Sequence, residues 1–275
     1  MKNILLLTDF SQNSENAINY ALAFFKKEYC KIFVMHVHKM GSFTSDDLMI
    51  SSSTDTIHDS LVQKPKKKLN SLILKIQKRF DNDKHKFETI VDFDDFTDAI
   101  NQAIELHDID IIVLGSNGKT GAKEIIFGSN TINVIRKVLC PTMVIPEGYI
   151  YKPVTEVLLP LSHTDDLHGK ALAKLGEFIE EYELTLNVLR INPQINHSDY
   201  EFYDQSNLAI LPHDYFVIND VPVQFATHSF IQIKKIGLTA VFAHKEKLIE
   251  RFFKGSSTSK ISNLIKTPLL VYHND

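Results

Sequence analysis

Short apolar runs alternate with amphipathic stretches along the whole chain. Residues 3–9 (NILLLTD) predict a strand that ends in a polar turn, and Ser11 stands where it can cap the helix in which Ile18, Ala21, Leu22 and Phe25 recur at helical spacing. Residues 32–37, rich in β-branched and aromatic side chains, predict a second strand. Residues 41–60 are dense in Ser, Thr and Asp and read as a mobile loop. Leu69, Leu72, Ile73, Ile76 and Phe80 mark the apolar stripe of a second helix, 87–91 a third strand, and Phe96, Ile100, Ala103, Ile104 and His107 a third helix. Residues 109–114 are continuously apolar, as in a strand buried on both faces of a parallel sheet. Ile132, Ile135 and Leu139 line a fourth helix, Pro141 ends it, and residues 142–145 form a fifth strand.

This alternation predicts βαβ units in a doubly wound sheet. The pattern is complete by about residue 147, and PEGYIYKP (146–153) reads as a linker. It then begins again. TEVLLPLSHTDD (155–166) echoes KNILLLTDFSQN (2–13), and 109–145 aligns without a gap with 236–272, placing Gly128-Ser129 on Gly255-Ser256 and Pro141 on Pro268. The chain reads as a tandem duplication, with one domain over 1–150 and a second over 151–275. The second copy is shorter, which predicts that it lacks the long helix-bearing insert after strand two.

Composition narrows the function. A net charge of −4 offers no basic field to nucleic acid or to anionic lipid. The basic cluster Lys64 and Lys66–Lys68 opens a helix and reads as a solvated face. No apolar run approaches the ~18 residues of a membrane span, and MKNILLLTDFS does not read as a signal peptide. Cys30 and Cys140 make no disulfide framework and suit the core of a protein of the reducing cytoplasm.

The candidate chemistry lies in GSNGKTGAKEIIFGSN (115–130). Gly118-Lys119-Thr120 resembles the end of a P-loop, but the first glycine of that motif would fall on Val113, inside the strand. The spacing present is Gly115-x-x-Gly118, nine residues, then Gly128-Ser129. Gly115 and Gly118 follow the carboxyl end of a buried strand, where open α/β sheets place ligands, and a missing Cβ lets ribose or phosphate approach the backbone. Gly128, Ser129, Asn130 and Thr131 begin a helix whose free N–H groups, with the hydroxyls of Ser129 and Thr131, suit an anion. Lys119 and Lys123 could add charge toward terminal phosphates.

That spacing, G-x2-G-x9-G-[ST], resembles the nucleotide-binding signature of the universal stress protein family. ILLLTDFS resembles the family's first strand and its Asp-containing turn, and VMHVH (34–38) its second strand. The resemblance covers the first half in element order and the second half as a degraded copy. It implies an α/β fold of two Rossmann-like domains of the adenine nucleotide α-hydrolase type, each an open five-stranded, mostly parallel sheet flanked by helices. It implies that Asp9 bonds the nucleoside, that Val37 meets the adenine edge through its backbone, and that Thr8 lines the pocket. Gly115 and Gly118 would approach ribose and phosphate, and Gly128, Ser129 and Asn130 would hold phosphates. Asn130 stands where the family often has an apolar residue. Family members of this type bind ATP, AMP or ADP, often with Mg2+, and act as stress-response regulators with at most slow hydrolysis. They pair through their fifth strands, which here implies an internal pseudo-dimer of 142–145 with 269–272, with a further homodimer left open. Two rivals remain: a nucleotide-independent interaction scaffold, and an adenylate-transferring enzyme, whose usual Ser-Gly-Gly loop is replaced by TDFSQN.

The second copy departs from the pattern, with Ser162 for Asp9, Phe242 for Gly115 and Lys245 for Gly118. Phe242 would block the ligand's approach or fill the pocket, leaving Gly255-Ser256-Ser257 as a bare helix start. His36 and His38 share one strand face and could chelate a metal, but a packed, hydrogen-bonded pair fits better because no further ligand is fixed nearby in sequence. Asp92, Asp94 and Asp95 read as a solvated loop that caps helix three. No nucleophile–base pairing is visible, so no catalytic residue is assigned.

Overall fold

A computed structural model describes residues 1–38, 57–117, 127–162, 165, 167–192, 199–209, 211–243 and 266–273. The first part of the chain forms β1 (Lys2–Leu7), α1 (Gln12–Phe24), β2 (Cys30–Val37), α2 (Ile57–Arg79), β3 (His85–Asp92), α3 (Phe96–His107), β4 (Ile111–Gly115), α4 (Ser129–Lys137) and β5 (Thr142–Ile145). The second forms β6 (Glu156–Ser162), α5 (Lys170–Glu181), β7 (Thr185–Asn192), α6 (Asp199–Leu208), β8 (His213–Asn219), α7 (Val223–Lys234), β9 (Leu238–Ala243) and β10 (Leu269–His273).

Local chemistry accounts for two of the helix starts. The Ser11 hydroxyl accepts from the Ser14 N–H at 3.2 Å, and Asp95 Oδ1 accepts from the Thr97 N–H at 3.0 Å. Three expectations need correction. The second helix starts at Ile57, inside the stretch read as loop, and carries Pro65 within it; residues 39–56 lie outside the described residues. The fourth helix ends at Lys137, so Leu139 leaves the stripe and is 54% exposed, while the extended Val138 turns inward and is buried. The second copy does carry a helix after its second strand, α6, cut to ten residues against the 23 of α2.

All ten strands form one sheet in the order β3-β2-β1-β4-β5-β10-β9-β6-β7-β8. Each half repeats the order 3-2-1-4-5 with parallel neighbours. β5 and β10 meet antiparallel, with Leu269 opposite Val144, Leu270 opposite Met143 and Val271 opposite Thr142, the contact expected of the two fifth strands. Along β1 the two-residue period sorts the core: Ile4 and Leu6 face α1 and α2, whereas Leu5 and Leu7 face α3 and α4.

The linker is packed down rather than loose. Tyr149 and Tyr151 lie edge-on to Tyr20 of α1, at 5.9 and 5.3 Å between ring centroids, and Asn16 Nδ2 donates to the Tyr149 carbonyl at 3.1 Å. The halves also meet through helices: Phe24 stacks on Phe178 at 5.9 Å, and the Tyr182 hydroxyl donates to Glu28 Oε1 at 2.6 Å.

Candidate functional site

A cleft of about 370 Å³ opens beyond the carboxyl ends of β1, β2 and β4. β1 and β4 are neighbours whose crossovers run to opposite sides of the sheet, the arrangement that leaves a crevice in open α/β folds. The structure brings Thr8, Asp9, Val37, Gly115, Gly128, Ser129, Asn130 and Thr131 to its wall. Gly118 and Lys119 lie outside the described residues.

The floor is apolar. Leu7, Met35, Phe96 and Leu114 join Val37 there, and pattern reading assigned these to the core alone. The Thr8 N–H donates to the Met35 carbonyl at 2.9 Å, so the Met35 peptide faces β1. Val37, two residues on, turns its backbone groups the same way, past the last β1–β2 pair at Leu7 and Met35.

Asp9 stands on the turn that closes β1. Its Oδ1 accepts from the Ser11 N–H at 3.0 Å. Burial pushes the carboxyl up, but hydrogen bonds from Ser11 and Ser14 outweigh it and hold Asp9 below the ordinary carboxylate range, so it is anionic at neutral pH. The turn is strained: Phe10 sits at φ 61°, a costly conformation for an aromatic residue, with its ring 4.6 Å from that of His36. The Thr8 hydroxyl is engaged by the Phe10 N–H and by Ser14 Oγ, both at 3.0 Å, so Thr8 shapes the wall rather than offering a free donor.

Across the cleft, α4 begins without a side-chain cap at Gly128. Its first helical bond runs from the Ile132 N–H to the Gly128 carbonyl at 3.0 Å, so the N–H groups of Ser129, Asn130 and Thr131 have no intrahelical acceptor. They form the positive end of a helix dipole at the cleft wall. The Thr131 hydroxyl is spent otherwise, donating to the Gly115 carbonyl at 3.0 Å, and so braces α4 against the end of β4. That leaves the Ser129 hydroxyl of the two that the sequence offered to an anion.

Gly115 has a packing reason of its own. A Cβ there would meet α1, at 2.6 Å from Asn13 Nδ2, and not the cleft. Asn13 Nδ2 donates to both the carbonyl and the side-chain oxygen of Asn117, and Asn117 Nδ2 donates to Glu147 Oε2 at 3.1 Å. Asn117 lines the cleft. Asn117 falls on a variable position of the glycine motif and Asn13 lies outside it; the one hint at Asn13 is a polar residue on an otherwise apolar helix face.

His36 Nδ1 bonds the Thr8 carbonyl at 2.8 Å, and its ring is 5.9 Å from that of His38. Among the described residues no group of three or more His, Cys, Asp or Glu stands close enough to hold a metal ion.

In the second half Phe242 packs into the core. Like the Cβ a residue at 115 would carry, its side chain points to the face covered by α1 and α5, where it is 6% exposed in the main core. Arg190 of β7 is fully buried, paired to both Asp204 oxygens, and donates to the carbonyls of Ser162 and Asp165 at 2.6 and 2.9 Å. Residues 245 and 255–257 lie outside the described residues.

Residues 1–146 match the sequence profile of the Universal stress protein family. A universal stress protein of Methanocaldococcus jannaschii is 28% identical over 152 residues, which span 52% of this chain and 94% of that protein. Among solved structures, a universal stress protein from Archaeoglobus fulgidus superposes with a TM-score of 0.69 at 16% identity, covering 99% of this chain and 96% of that one. A functionally unknown protein from Pseudomonas aeruginosa gives 0.53 at 10%, covering 100% and 93%. At these identities the structural likenesses show the fold.

Proposed function

We propose, of a chain that belongs to the universal stress protein family, that it holds an adenine nucleotide in the cleft above β1 and β4 and acts as a stress-response nucleotide sensor. ATP is the first candidate, with ADP and AMP as alternatives. One observation carries the reading: residues from five separate segments converge on a single cleft that joins an apolar floor, an anionic Asp9 and the uncapped start of α4.

The residues present fit such a ligand. Leu7, Met35, Val37, Phe96 and Leu114 suit the flat apolar base, with the Val37 backbone at its edge. The Asp9 carboxylate can accept from a ribose hydroxyl. The N–H groups of Ser129, Asn130 and Thr131 and the Ser129 hydroxyl can donate to phosphate oxygens. Asp9 is the carboxylate among the described residues of the wall, so magnesium would enter with the polyphosphate rather than sit in a protein-built cage. Slow hydrolysis at most is part of this proposal.

Residues 1–150 are read as the nucleotide-binding domain and 151–275 as a degenerate partner domain. The two cysteines are free and buried, in keeping with a cytoplasmic setting. Among the described residues no helix is long and apolar enough to cross a membrane.

Titration calorimetry with ATP, ADP and AMP tests the proposal, together with mass spectrometry of small molecules released from freshly purified, denatured protein. Saturable heat with at least one adenylate, abolished in Asp9→Ala, is expected. Absence of both heat and released nucleotide would overturn the reading.

A further inference from the structure

We infer that Asn13, Asn117 and Glu147 form a positioning clamp that fixes the Asn117 peptide at the wall of the nucleotide cleft, with Asn13 as its key. This rests on the nucleotide reading of the same cleft. Asn13 is 4% exposed and Asn117 5% exposed; Asn13 lies outside the glycine motif and Asn117 at one of its variable positions. Asn13 Nδ2 meets two acceptors on one residue, the carbonyl and the side-chain oxygen of Asn117. That pair fixes which way the Asn13 amide points, because the flipped amide would set oxygen against oxygen. The cost is visible: Asn13 Oδ1 is buried with no hydrogen-bond partner among the described residues. A buried unsatisfied carbonyl is destabilising, so a purely structural position would be better served by an apolar residue of similar size. The arrangement makes sense if the orientation of the Asn117 peptide matters.

That peptide lies at the cleft wall, just past the end of β4. With its carbonyl drawn toward α1, and its side-chain amide bonded on one side to Asn13 and on the other to Glu147, Asn117 has little freedom left. Gly115 completes the clamp, since any side chain there would displace Asn13. Glu147 lies on the connector to the second half, two residues before Tyr149, whose carbonyl accepts from Asn16 of the same helix. α1 therefore holds both Asn117 and the connector.

The test uses the full chain and ATP as the probe, with affinity read by calorimetry and folding by urea denaturation. Asn13→Asp keeps the shape but replaces the donor with an acceptor; affinity should fall about tenfold or more, the scale of one lost hydrogen bond. Asn117→Asp keeps its acceptor for Asn13 but turns oxygen on Glu147; it should weaken binding, and adding Glu147→Gln, which restores a donor, should recover it. That recovery separates positioning from general destabilisation, and it decides the matter if Asn13→Asp fails to fold. Wild type that binds ATP, with Asn13→Asp binding equally well or with the double variant as weak as Asn117→Asp, overturns the clamp and leaves the nucleotide reading standing. Wild type that binds no adenylate overturns both.

Discussion

The space beside Gly115 is taken by Asn13: a Cβ at position 115 would stand 2.6 Å from Asn13 Nδ2 and 3.0 Å from its Cγ. The amide cannot swing aside, because the same nitrogen donates twice to Asn117. Gly115→Ala is therefore expected to destabilise the fold by about 1–3 kcal/mol, the usual cost of overpacking a tight site. Urea denaturation at neutral pH measures it, and an unchanged midpoint would show that Asn13 yields freely.

Asp204 is the partner of a charge with no route to water. Arg190 is 1% exposed, and Asp204 meets it through both oxygens while accepting from the Tyr215 hydroxyl at 2.6 Å. Asp204→Ala removes the carboxylate that pairs both of its oxygens with a buried guanidinium, so a loss of about 3–5 kcal/mol is expected. Tyr215→Phe removes one hydrogen bond to a charged group and should cost about 1.5–3 kcal/mol. Both are read as shifts in denaturant midpoint.

Acid should act on the turn after β1 in two windows. Burial lowers the His36 pKa below 6.5; the Thr8 carbonyl and Asp9 pull it up, whereas His38 and Lys68 push it down. The fold thus favours neutral His36. Its contribution is present in full above pH 6.5 and lost as pH falls through the depressed folded value. Asp9, held below 3.8, contributes above that pH and loses its contribution only as pH falls through its own folded value. Denaturant midpoints between pH 7 and pH 5 should fall less steeply in His36→Gln than in the wild type. Identical slopes would sink this assignment.

Tyr20 offers a gain. Its ring packs against Phe24, Tyr149 and Tyr151, but its buried hydroxyl has no hydrogen-bond partner among the described residues. Tyr20→Phe keeps the ring and removes the orphaned group, so stability should hold or rise, by up to about 1–3 kcal/mol. A clear fall in melting temperature would mean that the hydroxyl is satisfied in solution.

The strands were legible because a parallel sheet covered on both faces needs unbroken apolar runs, and residues 109–114 and 142–145 are such runs. The cleft was legible where chemistry requires glycine or a helix start. Asn13, Asn117 and Arg190 were not, because a polar residue that finds all its partners through tertiary contacts looks, in sequence, like a surface residue. The tyrosines of the linker were silent for another reason: Pro and Gly signal a joint, and nothing local shows that Tyr149 and Tyr151 pack, partly buried, against the core. The packing of Phe242 into the core was not legible, because the direction of a Cβ at the end of β4 or β9 depends on sheet register, which neighbouring strands decide.

The antiparallel meeting of β5 and β10 has a spatial consequence. Strands β1–β5 run one way and β6–β10 the other, so the rim on which the first half carries its cleft is, for the second half, the rim where strands begin. A molecule seated over the strand tips of the second half would rest on the far side of the protein from the cleft. It could sense what the cleft contains only through the shared interior, never by touching or displacing the occupant.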